Sequence, residues 1–314
     1  MPLQPYHSDP ESLHTSRRET LQRCPRRFYI EYILGLERIN EDKKGLRMGD
    51  AHAKALEMFD PEAVMIPYLP LVEAATDEYK AKSLIEEAQQ VKIFAKLYLE
   101  FYPPAKEREV QWDLPIPGTH YRNCGTADFT EDCPTGIGIY GGEDKLKAQW
   151  TDNDERALDM DDQVTGEIYG LVGSGYSPVR GLRYRVTKKP AIKQRMSRSP
   201  ETYPEFLERL EAKLRDEKSN YFIERTLTRT VAELKEFEEE LLFTAEYIDW
   251  MVAREAEGKP TFVKSPKTCS YMGGCAHPEI CGRYPDWQVL YRRREDQKIV
   301  VPTAKQLSLL SAGS

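Results

Sequence analysis

The chain has no apolar run near the roughly 18 residues that a membrane-spanning helix needs, and 31% of its residues are charged. We therefore expect no membrane partner. The N-terminal segment also lacks the apolar core and small-residue cleavage site of a secretory signal, so we expect a cytoplasmic protein, of a bacterium or of the host cell if the protein is phage-encoded. With 314 residues, 40% of them hydrophobic, the chain is long enough to bury a large core.

Cysteine is scarce, with six residues in the chain. In a reducing compartment such a number does not indicate a disulfide framework, and three of the six cluster near the C-terminus, which favours a metal or a reactive thiol. The chain also has no excess of basic residues, and its formal charge of −7 argues against a nucleic-acid-binding protein that is basic throughout. The net charge does not exclude local basic patches.

The hydrophobic patterns predict a mixed α/β fold. Helical spacing is found over residues 46–59, 81–102, 155–173, 204–217 and 231–256. Alternating patterns between turn signals predict strands at 108–116, 120–130, 136–146 and 181–189. We expect a helical N-terminal region (1–104), a core sheet with the active site (105–200), a helical segment that completes the core (201–258), and a cysteine-rich subdomain with a tail (259–314).

Charged residues surround the turn of the hairpin predicted at residues 125–149. On a strand Glu143 and Lys145 share one face while Asp144 points to the other. A roughly symmetric hairpin about Thr135-Gly136 brings Asp128 opposite Glu143. Two carboxylates on one face suit Mg²⁺ or Mn²⁺, and a neighbouring ammonium can orient water or stabilise charge that develops on phosphate.

The acid-x-Lys triplet alone carries little weight, because it recurs at Glu78-Tyr79-Lys80 and Glu211-Ala212-Lys213, in segments that are predicted to be helix or loop. The alternative interpretation is a solvated hairpin edge with a salt bridge. The copy at Glu143 differs because it lies on a predicted strand with an Asp across the turn.

This arrangement resembles the PD-(D/E)xK nuclease superfamily, in which an Asp ends one strand and Glu-x-Lys lies on the next. Asp128, Glu143 and Lys145 match those positions. His52, in "MGDAHAKALE", falls where RecB-type nucleases have a helical His near the metal. Gln163 matches the start of their Gln-hydrophobic-x-x-Tyr motif.

The resemblance implies a nuclease core, a mixed central sheet flanked by helices, that holds Mg²⁺ or Mn²⁺. Asp128, Glu143 and His52 would be metal ligands, and the carbonyl of Asp144 is a candidate fourth ligand. Lys145 would assist the attacking water, and Gln163 would position the substrate.

The chain departs from the motif at its last position. Glu167 stands where the family has Tyr, and the nearest tyrosine, Tyr169, is two positions further on. A residue six positions after Gln163 lies about 120° away from it around a helix. Tyr169 therefore does not replace the motif tyrosine, which stands four positions after the Gln. The departure affects DNA positioning and leaves the metal ligands unchanged.

Cys269, Cys275 and Cys281 recur every six positions in "CSYMGGCAHPEIC" and need a fourth ligand for zinc or for an iron-sulfur cluster. His277 would complete a local Cys₃His zinc site, and Cys24 is the distant alternative. One N-terminal Cys followed by three C-terminal ones resembles the iron-sulfur RecB-like nucleases, such as the AddB-type subunit and the CRISPR-associated exonucleases. That resemblance implies a [4Fe-4S] cluster held by all four cysteines.

Two basic groups are candidate DNA contacts. Between Tyr169 and Pro200 there are eight Lys or Arg residues and no acid, which is typical of a phosphate-binding track. A second group lies beside Cys24 and comprises Arg17, Arg18, Arg23, Arg26 and Arg27.

Together the motifs predict a metal-dependent DNA exonuclease that hydrolyses phosphodiester bonds at DNA ends, single-stranded or frayed. It would act in recombination, repair or phage end processing, with a helicase or recombination protein as a candidate partner. The alternative is a non-catalytic adaptor that binds DNA ends and keeps the cluster. A third interpretation is a nuclease stabilised by zinc at the cysteines.

Overall fold

The structure is a computed structural model, and it describes residues 9, 11–39, 44–197, 199–269, 275 and 277–293. The chain divides into two compact units. The first comprises the described residues of Met1–Asp42, Trp112–Gly125 and Thr230–Ser314, and the second comprises those of Lys43–Gln111 and Thr126–Arg229. The first unit thus contains the described residues of both terminal segments, and the second contains the candidate hairpin from Thr126 onward.

The helices, in chain order, are α1 (Thr15–Arg23), α2 (Pro25–Phe28), α3 (Lys44–Glu57), α4 (Met65–Glu73), α5 (Glu78–Phe101), α6 (Asp152–Ala157), α7 (Asp162–Gly173), α8 (Tyr203–Asp216), α9 (Lys218–Tyr221), α10 (Val231–Ala256) and α11 (Pro278–Gly282). A π-helical turn, Tyr29–Ile33, continues α2. Short 3₁₀ turns are formed by Pro61–Val64, Leu158–Met160, Pro266–Thr268 and Trp287–Leu290.

The strands are β1 (Leu36–Arg38), β2 (Glu107–Pro115), β3 (Arg122–Asp132), β4 (Ile139–Lys147), β5 (Val179–Lys188), β6 (Phe222–Leu227) and β7 (Tyr291–Arg293). β1 and β7 form a two-stranded antiparallel sheet. The other five form a sheet in the order β2-β3-β4-β5-β6, in which β4 pairs antiparallel with β3 and parallel with β5. The fold is therefore mixed α/β, with a mixed five-stranded sheet flanked by helices.

In the second unit, α7 packs on one face of β4. A Cβ at Gly141 would lie 2.4 Å from a methyl of Leu171, so only glycine allows this close helix–strand approach. The adjacent Gly142 faces the other way, where the ring of Phe129 fills the space that a Cβ would need. The two glycines therefore let β4 be covered tightly on both faces.

The main core of the second unit lies among α3, α4, α5, α8 and β6. It contains Ala51, Leu56, Phe94 and Leu210, all of which are buried. The amphipathic spacing of α5 supplies one wall of this core, as the sequence pattern predicts.

The first unit is built around the N-terminal helices and α10. Phe262 stacks against Phe28 and contacts Tyr29, and the Arg18 guanidinium lies 4.7 Å from the centroid of the Phe237 ring. These contacts connect segments that are more than 200 positions apart in sequence. No helix in the described part of the chain is long and apolar enough to cross a membrane.

Candidate active site and cysteine group

The β3–β4 hairpin places the two predicted carboxylates opposite each other. The observed pairs run from Asp132↔Ile139 to Phe129↔Gly142, and the next position of this register puts Asp128 opposite Glu143. It is the register that the symmetric hairpin predicts. One carboxylate oxygen of Asp128, Oδ2, accepts a 2.6 Å hydrogen bond from the backbone N–H of Asp144.

The Asp128 side chain is half-buried, and its environment favours the protonated form. Burial and the charge of Asp144 raise the pKa of Asp128 to about 7, while the Lys145 ammonium acts in the opposite direction. Near neutral pH this carboxyl therefore responds strongly to any added positive charge.

Glu143 and Lys145 contact each other on the same face of β4. The Glu143 side chain is buried, at 3% exposure, whereas that of Lys145 is 31% exposed. A buried carboxylate thus has a cation beside it that still reaches solvent. Such a pair can bind a phosphate-bearing substrate close to the carboxylate group.

Asp144 extends its side chain from the opposite face. Its Oδ1 accepts a 2.5 Å hydrogen bond from the Tyr98 hydroxyl, and its Oδ2 pairs with Nη1 of Arg108 at 2.7 Å. Burial raises the pKa of Asp144, although Arg108 and Tyr98 both favour its charged form. The side chain is therefore a structural anchor, and the predicted role of its backbone carbonyl as a ligand stays a prediction.

His52 lies on α3 among the neighbours of Asp144. Its ring packs edge-on against Tyr98, with the centroids 5.8 Å apart. Burial and the charge of Arg108 lower the pKa of His52 to about 3, so the imidazole is neutral near neutral pH. Its Nε2 is buried without a hydrogen-bond partner in the described residues. The neutral ring is chemically suited to ligation, but its observed neighbours belong to the Asp144 side of β4.

Gln163 and Glu167 lie one turn apart on α7, the helix that packs on the Glu143 face. The backbone N–H of Gln163 is bonded to Oδ1 of Asp161, which caps the helix. Glu167 is buried, and burial together with the charge of Asp128 raises its pKa well above the usual range, against the effect of Lys145. The residue that departs from the resembled motif is therefore within electrostatic range of two members of the predicted site.

The donors fit a hard divalent cation in chemical type. Asp128 and Glu143 offer oxygen ligands, and Glu167 adds a buried carboxylate whose oxygens have no hydrogen-bond partner within the described ranges. Among the described residues, however, no three His, Cys, Asp or Glu side chains are already arranged to hold a metal ion. A cation would have to draw these side chains together.

The four predicted cluster cysteines all belong to the first unit. Burial raises the pKa of Cys275 and of Cys281, and each thiol is further affected by the charge of Cys24. Cys269 acts on Cys275 in the same way, and the Cys269 carbonyl accepts a 2.8 Å hydrogen bond from the Cys275 N–H. The structure thus brings Cys24, 245 positions distant in sequence from Cys269, into electrostatic range of the C-terminal thiols.

His277, the alternative zinc ligand, is held by a different partner. Its Nε2 lies 2.8 Å from Oε1 of Glu31, and its backbone N–H points to the sulfur of Cys275. Its Nδ1 is buried and has no hydrogen-bond partner within the described residues, so this is the ring nitrogen that the zinc alternative would use. Arg27 opposes the raised pKa of Cys275, and Lys264 and Arg26 oppose that of Cys281, but burial keeps both pKa values above their usual range.

The basic group beside Cys24 differs from the prediction. Arg17 and Arg18 are buried, and Arg17 donates hydrogen bonds to the carbonyl oxygens of Asp9 and Ser12. They therefore stabilise the first unit and do not form a DNA surface. Arg27 pairs with Glu31.

Some basic residues of the stretch that contains β5 form ion pairs within the fold. Arg185 is buried and pairs with Glu131 at 2.6 Å and with Glu224 at 2.7 Å. Arg195 pairs with Glu201. The predicted phosphate-binding track is therefore smaller than the count of eight basic residues indicates.

No family model matches the chain, and no curated protein matches it.

The sequence patterns missed three contributors to the site. Tyr98 and Arg108 anchor Asp144, and neither stands in a recognisable motif. Glu167 did carry a signal: it falls on the stripe of buried residues on α7 that includes Val164 and Leu171, where an acid is unexpected.

Proposed function

We propose that the protein is a divalent-metal-dependent DNA exonuclease of the PD-(D/E)xK type. The observation that carries the proposal is the β3–β4 register, which sets Asp128 opposite Glu143 with Lys145 in contact. Burial and the charge of Asp144 raise the pKa of Asp128, a property of functional carboxylates. A salt bridge on a solvated hairpin edge would not bury the Glu143 carboxylate to 3% exposure.

In this function Asp128 and Glu143 would hold Mg²⁺ or Mn²⁺, which supplies an activated water and neutralises charge on the phosphate. Lys145 reaches solvent from the same face, so its ammonium can contact a phosphate oxygen of the bound strand. Gln163, in the first turn of α7, would position that strand. On the opposite face of β4, Tyr98 and Arg108 anchor the Asp144 side chain and so hold the strand in place.

We further propose that Cys24, Cys269, Cys275 and Cys281 hold a [4Fe-4S] cluster that joins the two terminal segments. The placement of Cys24 in electrostatic range of Cys275 and Cys281 supports this set over a local Cys₃His zinc site. The cluster would have a structural role, since the carboxylates lie in the other unit.

The test measures degradation of end-labelled linear and circular single-stranded DNA with Mn²⁺. Wild type should degrade the linear strand only, and Asp128→Asn should lose activity. The matched control is Asp132→Asn, because Asp132 lies on the same strand but is exposed and pairs only with Lys106 among the contacts described. This control should cleave as wild type does.

Two outcomes would contradict the proposal. Cleavage of circular DNA would make the protein an endonuclease. DNA binding without metal-dependent cleavage would favour the adaptor, which would need neither Asp128 nor Glu143.

A further inference from the structure

Glu167 is a buried acid without a visible partner. Its side chain is 2% exposed, and neither carboxylate oxygen has a hydrogen-bond partner among the residues that the structure describes. The Gln163 side chain, one turn earlier on α7, is near enough to oppose the raised pKa of Glu167, but it makes no hydrogen bond of ordinary geometry to either carboxylate oxygen. Buried carboxylates are rarely left in this state, because removing the group from water is costly unless a partner compensates.

The surroundings of Glu167 are apolar along its own helix and charged towards the strands. Val164, Ile168 and Leu171 line the buried stripe of α7. The charges of Asp128 and Lys145 act on the Glu167 carboxyl. Leu171 of α7 packs against Gly141, which shares a face of β4 with Glu143, so the buried stripe that contains Glu167 covers the face of the sheet that carries the proposed metal ligands.

We propose that Glu167 is an additional carboxylate ligand for the divalent cation, at the position where the resembled motif has a tyrosine. The inference rests on the metal site of the proposed function. A cation would give both oxygens the partner that they lack and would offset the repulsion between Glu167 and Asp128. Glu167, in place of the motif tyrosine, then supplies an extra oxygen ligand.

The experiment titrates metal-free protein with Mn²⁺ and follows free Mn²⁺ by electron paramagnetic resonance, a readout independent of DNA cleavage. Wild type should bind Mn²⁺, and Glu167→Gln should bind it about tenfold more weakly or worse, as expected for a lost ligand. Glu167→Tyr, which restores the family motif, should show the same loss. Glu155→Gln is the matched control. Glu155 lies on the preceding helix and pairs with Arg225, so this substitution should leave the affinity for Mn²⁺ unchanged.

Wild-type affinity in both Glu167 variants would overturn the inference, and the proposed function would stand if Asp128→Asn alone abolished binding. If Mn²⁺ binding depends on Glu167 but the same samples never cleave DNA, the ligand assignment holds and the nuclease proposal fails. Absence of Mn²⁺ binding by wild type would overturn both. Should Glu167→Gln fail to fold by circular dichroism, Glu167→Met replaces it, because an apolar side chain suits the buried stripe.

Discussion

The backbone N–H of Asp144 donates a 2.6 Å hydrogen bond to Oδ2 of Asp128. This bond ties the candidate metal ligand on β3 to the backbone of β4. The side chain of Asp144 leaves the strand on the other face and is anchored by Tyr98 and Arg108. One residue therefore fixes the carboxylate of Asp128 with its backbone and fixes β4 with its side chain.

The first prediction concerns the pH dependence of the metal-free protein. The pKa of Asp128 is raised in the fold from 3.8 to about 7, so its carboxyl costs no stability below pH 4 and destabilises the fold increasingly as the pH rises towards 7. Three units at about 1.4 kcal/mol each set an upper limit of about 4 kcal/mol. In EDTA, Asp128→Asn should be more stable than wild type at pH 8 and show no advantage at pH 4.

Urea denaturation at the two pH values measures this difference. Asp132→Asn is the control, and its difference from wild type should stay small at both pH values. An advantage of Asp128→Asn that is equal at pH 4 and pH 8 would show that ionisation of Asp128 is not its source.

The second prediction separates the role of Lys145 from metal binding. Lys145→Met should lower the cleavage rate by about 10²–10⁴-fold, because the ammonium that stabilises charge on the phosphate is lost. The affinity for Mn²⁺ should not fall, because the Lys145 ammonium, which contacts the Glu143 carboxylate and competes with a metal ion for it, has been removed. Single-turnover cleavage and Mn²⁺ titration measure the two effects. Lys147→Met, two positions further along β4, is the control and should cleave at the wild-type rate. An unchanged cleavage rate for Lys145→Met would show that Lys145 has no role in the reaction.

The sequence predicted the parts of the fold that depend on local pattern. The capping box of Thr230 and Glu233 and a regular apolar stripe define α10, which matches its predicted range of 231–256. The hairpin register followed from the symmetry of its turn. By contrast, the single helix expected over 155–173 is broken, because Asp161 caps a new helix within it.

What the sequence did not reveal depends on tertiary contacts. No predicted element covered α4, whose sequence "MIPYLPLVE" contains two prolines, or β6, whose "FIERTL" mixes charged with apolar residues. The burial of Arg17 and Arg18 was equally hidden, because a basic run indicates a solvated surface until the aromatic partners are known. Glu167 was noticed only as a departure from a motif.

The third prediction tests the cysteine group. Anaerobically purified wild type should be brown and carry about four iron atoms per chain, and Cys24→Ser should lose both properties. Cys124→Ser is the matched control, because the Cys124 thiol is buried against Asp113 and should not bind iron. His277→Gln distinguishes the metals: it should leave the iron content unchanged. A colourless wild type that contains zinc and loses it in His277→Gln would assign the group to zinc.

The last prediction compares two buried glutamates of the second unit in metal-free buffer. Glu167 has no hydrogen-bond partner in the described part of the chain, whereas Glu87 accepts from Tyr68 at 2.7 Å and pairs with Arg47 at 2.9 Å. Replacing an unpartnered buried polar group by an apolar one of similar shape is neutral or stabilising, whereas removing one partner of a bonded set leaves the others unsatisfied.

Glu167→Met should therefore raise the free energy of unfolding in EDTA by up to about 1–3 kcal/mol, and Glu87→Met should lower it by a similar amount. Mn²⁺ should reverse the first difference, because wild type gains the binding free energy that Glu167→Met has lost. Urea denaturation with EDTA and with Mn²⁺ measures all four values. If Glu167→Met were destabilised in EDTA as strongly as Glu87→Met, the Glu167 carboxyl would already contribute to the metal-free fold, and its place among the metal ligands would lose its main support.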